Sequence, residues 1–177
     1  MGDVVARSTE PQLARIKLAW WREQLEALDE KPPPAEPRLR AVAEQLLPRG
    51  LTGGEIAGLE PGWATLLDEE IDPELVAARG ALLFRIGGSL LGSDDPKLGE
   101  AGALYALASV GRRGLPGLFE PARTRAEALR GHRIERRARP LTMLARAATR
   151  ELCREEGEGG RARALAMLAH RWSGRVC

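Results

Sequence analysis

The densest group of carboxylates in the chain is Asp68-Glu69-Glu70-Ile71-Asp72. Asp68 and Asp72 have D-x-x-x-D spacing, which on a continuous helix puts two carboxylates on one face. Paired oxygen ligands of that kind hold Mg²⁺ against a diphosphate. Asp68, Glu69 and Asp72 are therefore the candidate catalytic residues. The same residues also carry a structural reading, because Asp72-Pro73 has the form of an N-cap followed by proline at the first helical position. That reading ends one helix and starts another between the two aspartates, and no second Asp-rich segment accompanies them.

The remaining reactive side chains are few. His132 falls in an arginine-rich stretch and His170 in the last helical pattern. Neither stands beside a cysteine or a serine elbow of the kind that nucleophilic catalysis uses, and both read as surface or satisfied structural residues. Cys153 and Cys177 give no disulfide framework and no metal-ligand spacing. There is no phosphate-binding P-loop and no dinucleotide glycine fingerprint. No metal or cofactor is expected, with Mg²⁺ the one to look for if the acidic cluster is active.

Positive charge is the other chemical resource. The formal net charge is +2, but residues 1–88 carry −5 and residues 89–177 carry +7. Eleven arginines lie between Arg112 and Arg150, with only Glu120, Glu127 and Glu135 among them. Such a band suits phosphates, anionic lipid or an acidic partner, or it is a solvated surface. Nucleic acid is not expected, since aromatic residues are 4% of the chain and none alternates with the arginines as a stacking platform.

The elements that must position these residues read as helices separated by proline and glycine, with no run of alternating strand residues. Leu13 to Leu28 is an amphipathic helix opening at Thr9 with Pro11 in its first turn. Leu13, Ile16, Trp20, Trp21, Leu25, Ala27 and Leu28 fill one arc, with Lys17 and Gln24 in the middle of it. A second helix runs from Pro37 to Leu47, and Thr52 with Glu55 forms a capping box before a broken helix around Pro61. Glu74 to Leu91 carries Gly80, Gly87 and Gly88, whose cost inside a helix implies close approach of a neighbouring backbone or of a ligand, close helix packing being the expected cause.

Gly92 stops that helix, and Asp95-Pro96 starts another that reaches Gly111. After a looser arginine-rich region come Pro140 to Glu155 and Arg161 to Trp172, the latter with Leu165, Leu168, Ala169 and Trp172. Glu156 to Gly160 reads as a loop. The longest uncharged apolar run, Ala101 to Gly111, is well short of the ~20 residues of a spanning helix. The chain is thus expected to be soluble and cytoplasmic, with at most peripheral contact with an inner membrane.

Three segments carry a family resemblance. Glu10-Pro11 followed by LARIKLAWWREQL resembles the helix of the squalene/phytoene synthase family in which a basic residue precedes Leu-x-Trp-Trp and an Arg follows. ELVAARGALLFRIGGSLLG, Glu74 to Gly92, resembles the family helix with a small-residue pair and a terminal Leu-Gly. GEAGALYALASVGRR, Gly99 to Arg113, resembles the next one, ending in the family's arginine.

The resemblance implies a single truncated all-α domain over 1–177, isoprenoid/terpene-synthase-like, with about seven or eight helices around a central cavity. Lys17, Trp20, Trp21 and Gln24 would line that cavity, and Arg112 and Arg113 would meet a diphosphate. Active members join two prenyl diphosphates in isoprenoid (squalene/phytoene, carotenoid) biosynthesis, using Mg²⁺ held by two Asp-rich helical motifs. Twelve residues precede Leu13, too few for the first motif, and residues 111–139 offer arginines where the second belongs. The resemblance therefore extends to a branch with degenerate motifs, similar to a mitochondrial complex I assembly factor. The expectation is a pseudoenzyme that binds a prenyl diphosphate, a lipid-like ligand or a protein partner. Its alternative is a Mg²⁺-dependent prenyltransferase using Asp68, Glu69 and Asp72.

Overall fold

The structure, a computed structural model, describes residues 1–154 and 161–177; the loop expected at 156–160 lies outside them. Among the described residues the chain is all-α: no strand forms, and one isolated antiparallel bridge joins Arg133 to Arg175. No described helix is long and apolar enough to cross a membrane. The chain forms two compact units, Met1–Leu75 and Val76–Cys177.

The first unit contains α1 (Gly2–Arg7), α2 (Pro11–Ala27), α3 (Pro37–Gln45), α4 (Gly53–Ala57) and α5 (Pro61–Ala64), with 3₁₀ turns at Leu47–Arg49 and Thr65–Leu67. Proline opens α2, α3 and α5, where its missing N–H is not needed. Glu10, not Thr9, stands at the N-cap of α2. Glu36 caps α3 by accepting from the Leu39 N–H at 2.9 Å. The expected box at Thr52 places its hydroxyl on the Glu55 N–H at 3.0 Å.

Leu25, Leu28, Leu39 and Ala57 form the core of this unit, with Trp21, Val42, Leu47 and Ile56 packed around them. At its edge the Asp29 carboxylate accepts from the Gly53 and Gly54 N–H groups at 2.6 and 2.9 Å, tying the end of α2 to the start of α4. A Cβ on Gly53 would lie 1.9 Å from the Leu25 carbonyl oxygen, so only glycine permits this approach.

The second unit takes up α6 (Pro73–Leu90), which starts at the end of the first, and continues with α7 (Leu98–Gly111), α8 (Phe119–Glu127), α9 (Arg139–Arg154) and α10 (Arg161–Ser173). Helix α8, with its leading 3₁₀ turn Pro116–Leu118, occupies the stretch that reads from sequence as loose. Its mix of Glu, Pro, Arg and Thr has little apolar periodicity, and only Ala122 is buried.

Helix α7 is the centre of this unit: Leu98, Ala101, Ala103, Leu104, Leu107 and Val110 are all buried, so it is apolar around its circumference. Two of the glycines of α6 face that centre and the third, Gly87, faces α9. A Cβ on Gly80 would meet the Gly102 carbonyl, one on Gly88 would meet Leu98, and one on Gly87 would meet Leu141. Gly92 takes a φ of 67°, the left-handed turn that follows α6.

Candidate functional site

The acidic cluster takes the structural form. The 3₁₀ turn ends at Leu67, and Asp68 leaves it with φ −84° and ψ 156°, in extended conformation. The Asp68 carboxylate accepts from Arg15 of α2 at 2.5 Å, and the same guanidinium reaches the Leu67 carbonyl at 3.1 Å. Asp72 caps α6, its Oδ1 accepting from the Glu74 N–H at 2.8 Å, while its own N–H donates to the Thr65 hydroxyl at 2.9 Å. Glu69 is exposed. As arranged, Asp68 and Asp72 are not two carboxylates on one helix face. They do not fit a Mg²⁺–diphosphate site, so no step is derived through that ion. Among the described residues no three His, Cys, Asp or Glu side chains converge as metal ligands.

Helix α2 presents a different face to its core from the one its sequence suggests. Ala14, Leu18, Leu25 and Leu28 are buried, whereas Leu13, Ile16 and Trp20 are 43%, 66% and 41% exposed. Lys17 and Gln24 therefore sit between the buried face and an exposed apolar strip, rather than at the centre of a cavity wall. Lys17 is exposed and Gln24 half-buried. Lys17 lines a shallow depression of about 230 Å³ with Asp3, Val4, Arg7 and Ser8. Trp21 joins the core and meets Trp20 edge-on, with ring centroids 5.2 Å apart and planes at 79°. The sequence arc and the buried face overlap in Trp21, Leu25 and Leu28; the buried face extends to Ala14 and Leu18 on one side and leaves Leu13, Ile16 and Trp20 on the other.

Arg112 and Arg113 follow the end of α7, with Arg112 half-buried and Arg113 exposed. Lys17, Trp20, Trp21 and Gln24 belong to the first compact unit, and these two arginines to the second. Near Arg113 lies Arg79 of α6, whose guanidinium is buried. Desolvation, with Arg113 adding and Tyr105 opposing, pulls its pKa down to about 10.

Much of the arginine band is spent on backbone. Arg133 donates to the Ser173 carbonyl at 3.1 Å, Arg137 to Gly92 at 3.2 Å and Arg146 to Val176 at 2.9 Å. Arg139 gathers the Ile134, Arg171 and Trp172 carbonyls at 3.1, 3.3 and 2.8 Å, satisfying the open end of α10. Beside that end, Arg136, Arg139, Arg171 and Trp172 line a depression of about 570 Å³. The exposed guanidiniums of Arg136 and Arg171, beside an indole and the charge of Arg139, can take a phosphate with an apolar group attached to it. Sequence reasoning missed this recess. The adjacent Arg171-Trp172, in a stretch without carboxylates, was its only visible sign.

Both histidines are held. His132 Nε2 lies 2.9 Å from the buried Asp95 carboxylate, which also accepts from the Lys97 and Glu135 N–H groups at 2.9 and 2.7 Å. Asp95 thus closes the turn before α7, which begins at Leu98 rather than at Asp95-Pro96 and has Lys97 at its N-cap, and pins the loop that carries His132. His170 is fully buried. Its Nδ1 lies 2.9 Å from the Arg175 carbonyl, which can only accept, so Nδ1 carries the proton. Nε2, 2.8 Å from the Thr142 hydroxyl, is then the acceptor. Desolvation lowers the His170 pKa, opposed by the Arg175 hydrogen bond and reinforced by Arg146 and Arg139.

No family model, no curated protein and no solved structure matches the chain.

Proposed function

We propose that the protein is a catalytically degenerate, squalene/phytoene-synthase-like helical protein that binds a prenyl diphosphate or a similar lipid-like anion without turning it over. The recess of Arg136, Arg139, Arg171 and Trp172 is the observation that carries the reading. Guanidiniums pair with phosphate oxygens bidentately, and the indole, 70% exposed beside them, offers the start of an isoprenoid chain an apolar surface. Retention without turnover is supported by Asp68 and Asp72. Their carboxylates are engaged by Arg15 and by the first turn of α6, not aimed at a shared ion. A protein partner on the same basic surface is the assembly-factor-like version of this reading.

Thermal unfolding with farnesyl diphosphate tests it, since a ligand that binds only the folded state raises Tm. The expected result is a rise that Arg136→Ala with Arg171→Ala removes. No rise with farnesyl or geranylgeranyl diphosphate overturns the reading. Release of diphosphate from either compound in the presence of Mg²⁺ overturns its non-catalytic part.

A further inference from the structure

The last helix turns its bulky apolar side chains outward. Leu165, Leu168 and Trp172 of α10 are 65%, 60% and 70% exposed, while the small Ala166 and the hydrogen-bonded His170 face the interior. The three exposed residues recur at i, i+3 and i+7, within about 60° of one another around the axis at 100° per residue. They form one continuous ridge opposite the buried face. Exposed apolar side chains grouped in this way mark a surface that meets something other than water.

The charges around the ridge say what that is. Residues 161–177 contain four arginines and no aspartate or glutamate. Glu155, Glu156 and Glu158 precede them in sequence and lie outside the described residues, and Glu135 is the exposed carboxylate next to Arg136. Arg161, Arg171 and Arg175 are exposed, as is Arg136 of the recess beside Trp172. The exposed strip of α2, Leu13, Ile16 and Trp20, has similar spacing but neighbours of both signs, Arg15 and Arg22 with Glu23 and Glu26, and selects no partner.

We propose that α10 docks on an anionic lipid bilayer, lying in the plane of the interface. Leu165, Leu168 and Trp172 enter the boundary between headgroups and acyl chains, and the arginines meet lipid phosphates. The apolar residues stand on a convex ridge, a shape that a deformable bilayer accepts; a folded acidic partner would have to bring a groove. Tryptophan at the end of the ridge suits the headgroup level, where its ring is apolar and its N–H is solvated. At 13 residues the helix lies on a membrane rather than spanning it. Docking shares Arg171 and Trp172 with the anion recess and rests on the proposed reading only for the basic character of this face.

Co-sedimentation of the full chain with phosphatidylcholine vesicles, with and without phosphatidylglycerol, tests docking. Binding is expected only to the vesicles with phosphatidylglycerol, and added salt should weaken it. Leu165→Ser with Leu168→Ser should lower partitioning about tenfold or more, as should Arg171→Glu with Arg175→Glu. Leu13→Ser with Ile16→Ser should leave it unchanged. These side chains are exposed, and circular dichroism of each variant is the check on folding. Failure to bind phosphatidylglycerol vesicles at low salt, or an equal loss in the α2 variant, overturns docking. Binding to polyglutamate but not to vesicles overturns it in favour of an acidic polypeptide partner. A farnesyl diphosphate shift that survives while vesicle binding fails rejects docking alone, and the converse rejects the anion reading alone.

Discussion

Gly80 of α6 and Gly102 of α7 meet backbone to backbone. A Cβ built on Gly80 would lie 2.2 Å from the Gly102 carbonyl oxygen, and one built on Gly102 would lie 2.0 Å from the Gly80 carbonyl oxygen. The two glycines give up helix propensity, about 1 kcal/mol each, and the second unit gains a close crossing against its most buried helix.

Alanine at either position should therefore destabilise, because the obstacle is main chain and cannot rotate away. Gly80→Ala and Gly102→Ala are expected to cost about 2–3 kcal/mol each, at the upper end of ordinary overpacking. Gly117→Ala, with nothing within 4 Å of its Cβ, should stay within about 0.5 kcal/mol of the parent. Urea unfolding measures all three, and an unchanged midpoint for Gly80→Ala would refute the crossing.

The two aspartates of the acidic cluster should separate in the same experiment. Asp72→Ala removes the cap of α6 and should cost about 1 kcal/mol. Asp68→Ala removes an ion pair whose side chains are 44% and 39% exposed, and should cost about 0.5 kcal/mol or less. Asn at position 72 should recover most of the loss, since an amide oxygen also caps. A carboxylate needed as a metal ligand would not be rescued in this way.

What the sequence disclosed was punctuation. Asp72-Pro73, Thr52 and Gly92 act through their own backbone or the next turn, so their effect is local and their positions were legible. Asp95-Pro96 precedes α7, which starts at Leu98 with Lys97 at its N-cap, and the Asp95 carboxylate also serves the distant Glu135 and His132. The three glycines of α6 were legible for the same reason, as a local cost that only a close neighbour could justify. Which face each helix buries was not legible. On α2 the sequence arc groups Leu13, Ile16 and Trp20 with Leu25 and Leu28, yet the interior holds Ala14 and Leu18 with those last two; on α10 it holds Ala166 and His170 rather than Leu165, Leu168 and Trp172. The inward face is set by partners distant in sequence, such as Thr142, which meets the His170 ring. The recess beside Trp172 was hidden for a related reason. Arg136 and Arg171 are 35 positions apart in the chain, and their segments are brought together by contacts no local pattern announces, among them the Arg133–Arg175 bridge and the hydrogen bonds of Arg139 to the end of α10.

His170 links stability to pH. Its folded-state pKa is depressed below the ordinary histidine value of 6.5, so between the two values the unfolded chain binds more protons than the folded one. Stability from the neutral imidazole is fully present above the unfolded value and is lost as pH falls toward the folded one. Tm should therefore be level above pH 6.5 on this account and drop as pH is lowered below it. His170→Asn keeps a donor for the Arg175 carbonyl but does not titrate, and should flatten this part of the profile. A parent profile as flat as the variant's would show that His170 does not titrate differently on folding.

The arginines that sequence and structure favour are different, and ligand binding can decide between them. Arg112 and Arg113 are the arginines the resemblance implies, whereas Arg136 and Arg171 share a recess with an exposed indole. Farnesyl diphosphate at about 100 times its Kd should add about 2.7 kcal/mol of stability, a rise of about 5–10 °C for a chain of this size. Arg136→Ala or Arg171→Ala should each weaken binding about tenfold, the loss of one charge-assisted contact. Arg113→Ala should leave the ligand shift unchanged. It should instead raise the intrinsic Tm slightly, by removing a like charge from beside the buried Arg79. If Arg113→Ala abolishes the ligand shift and Arg171→Ala does not, the anion binds where the resemblance implied, and the recess beside Trp172 is only the capped end of a helix.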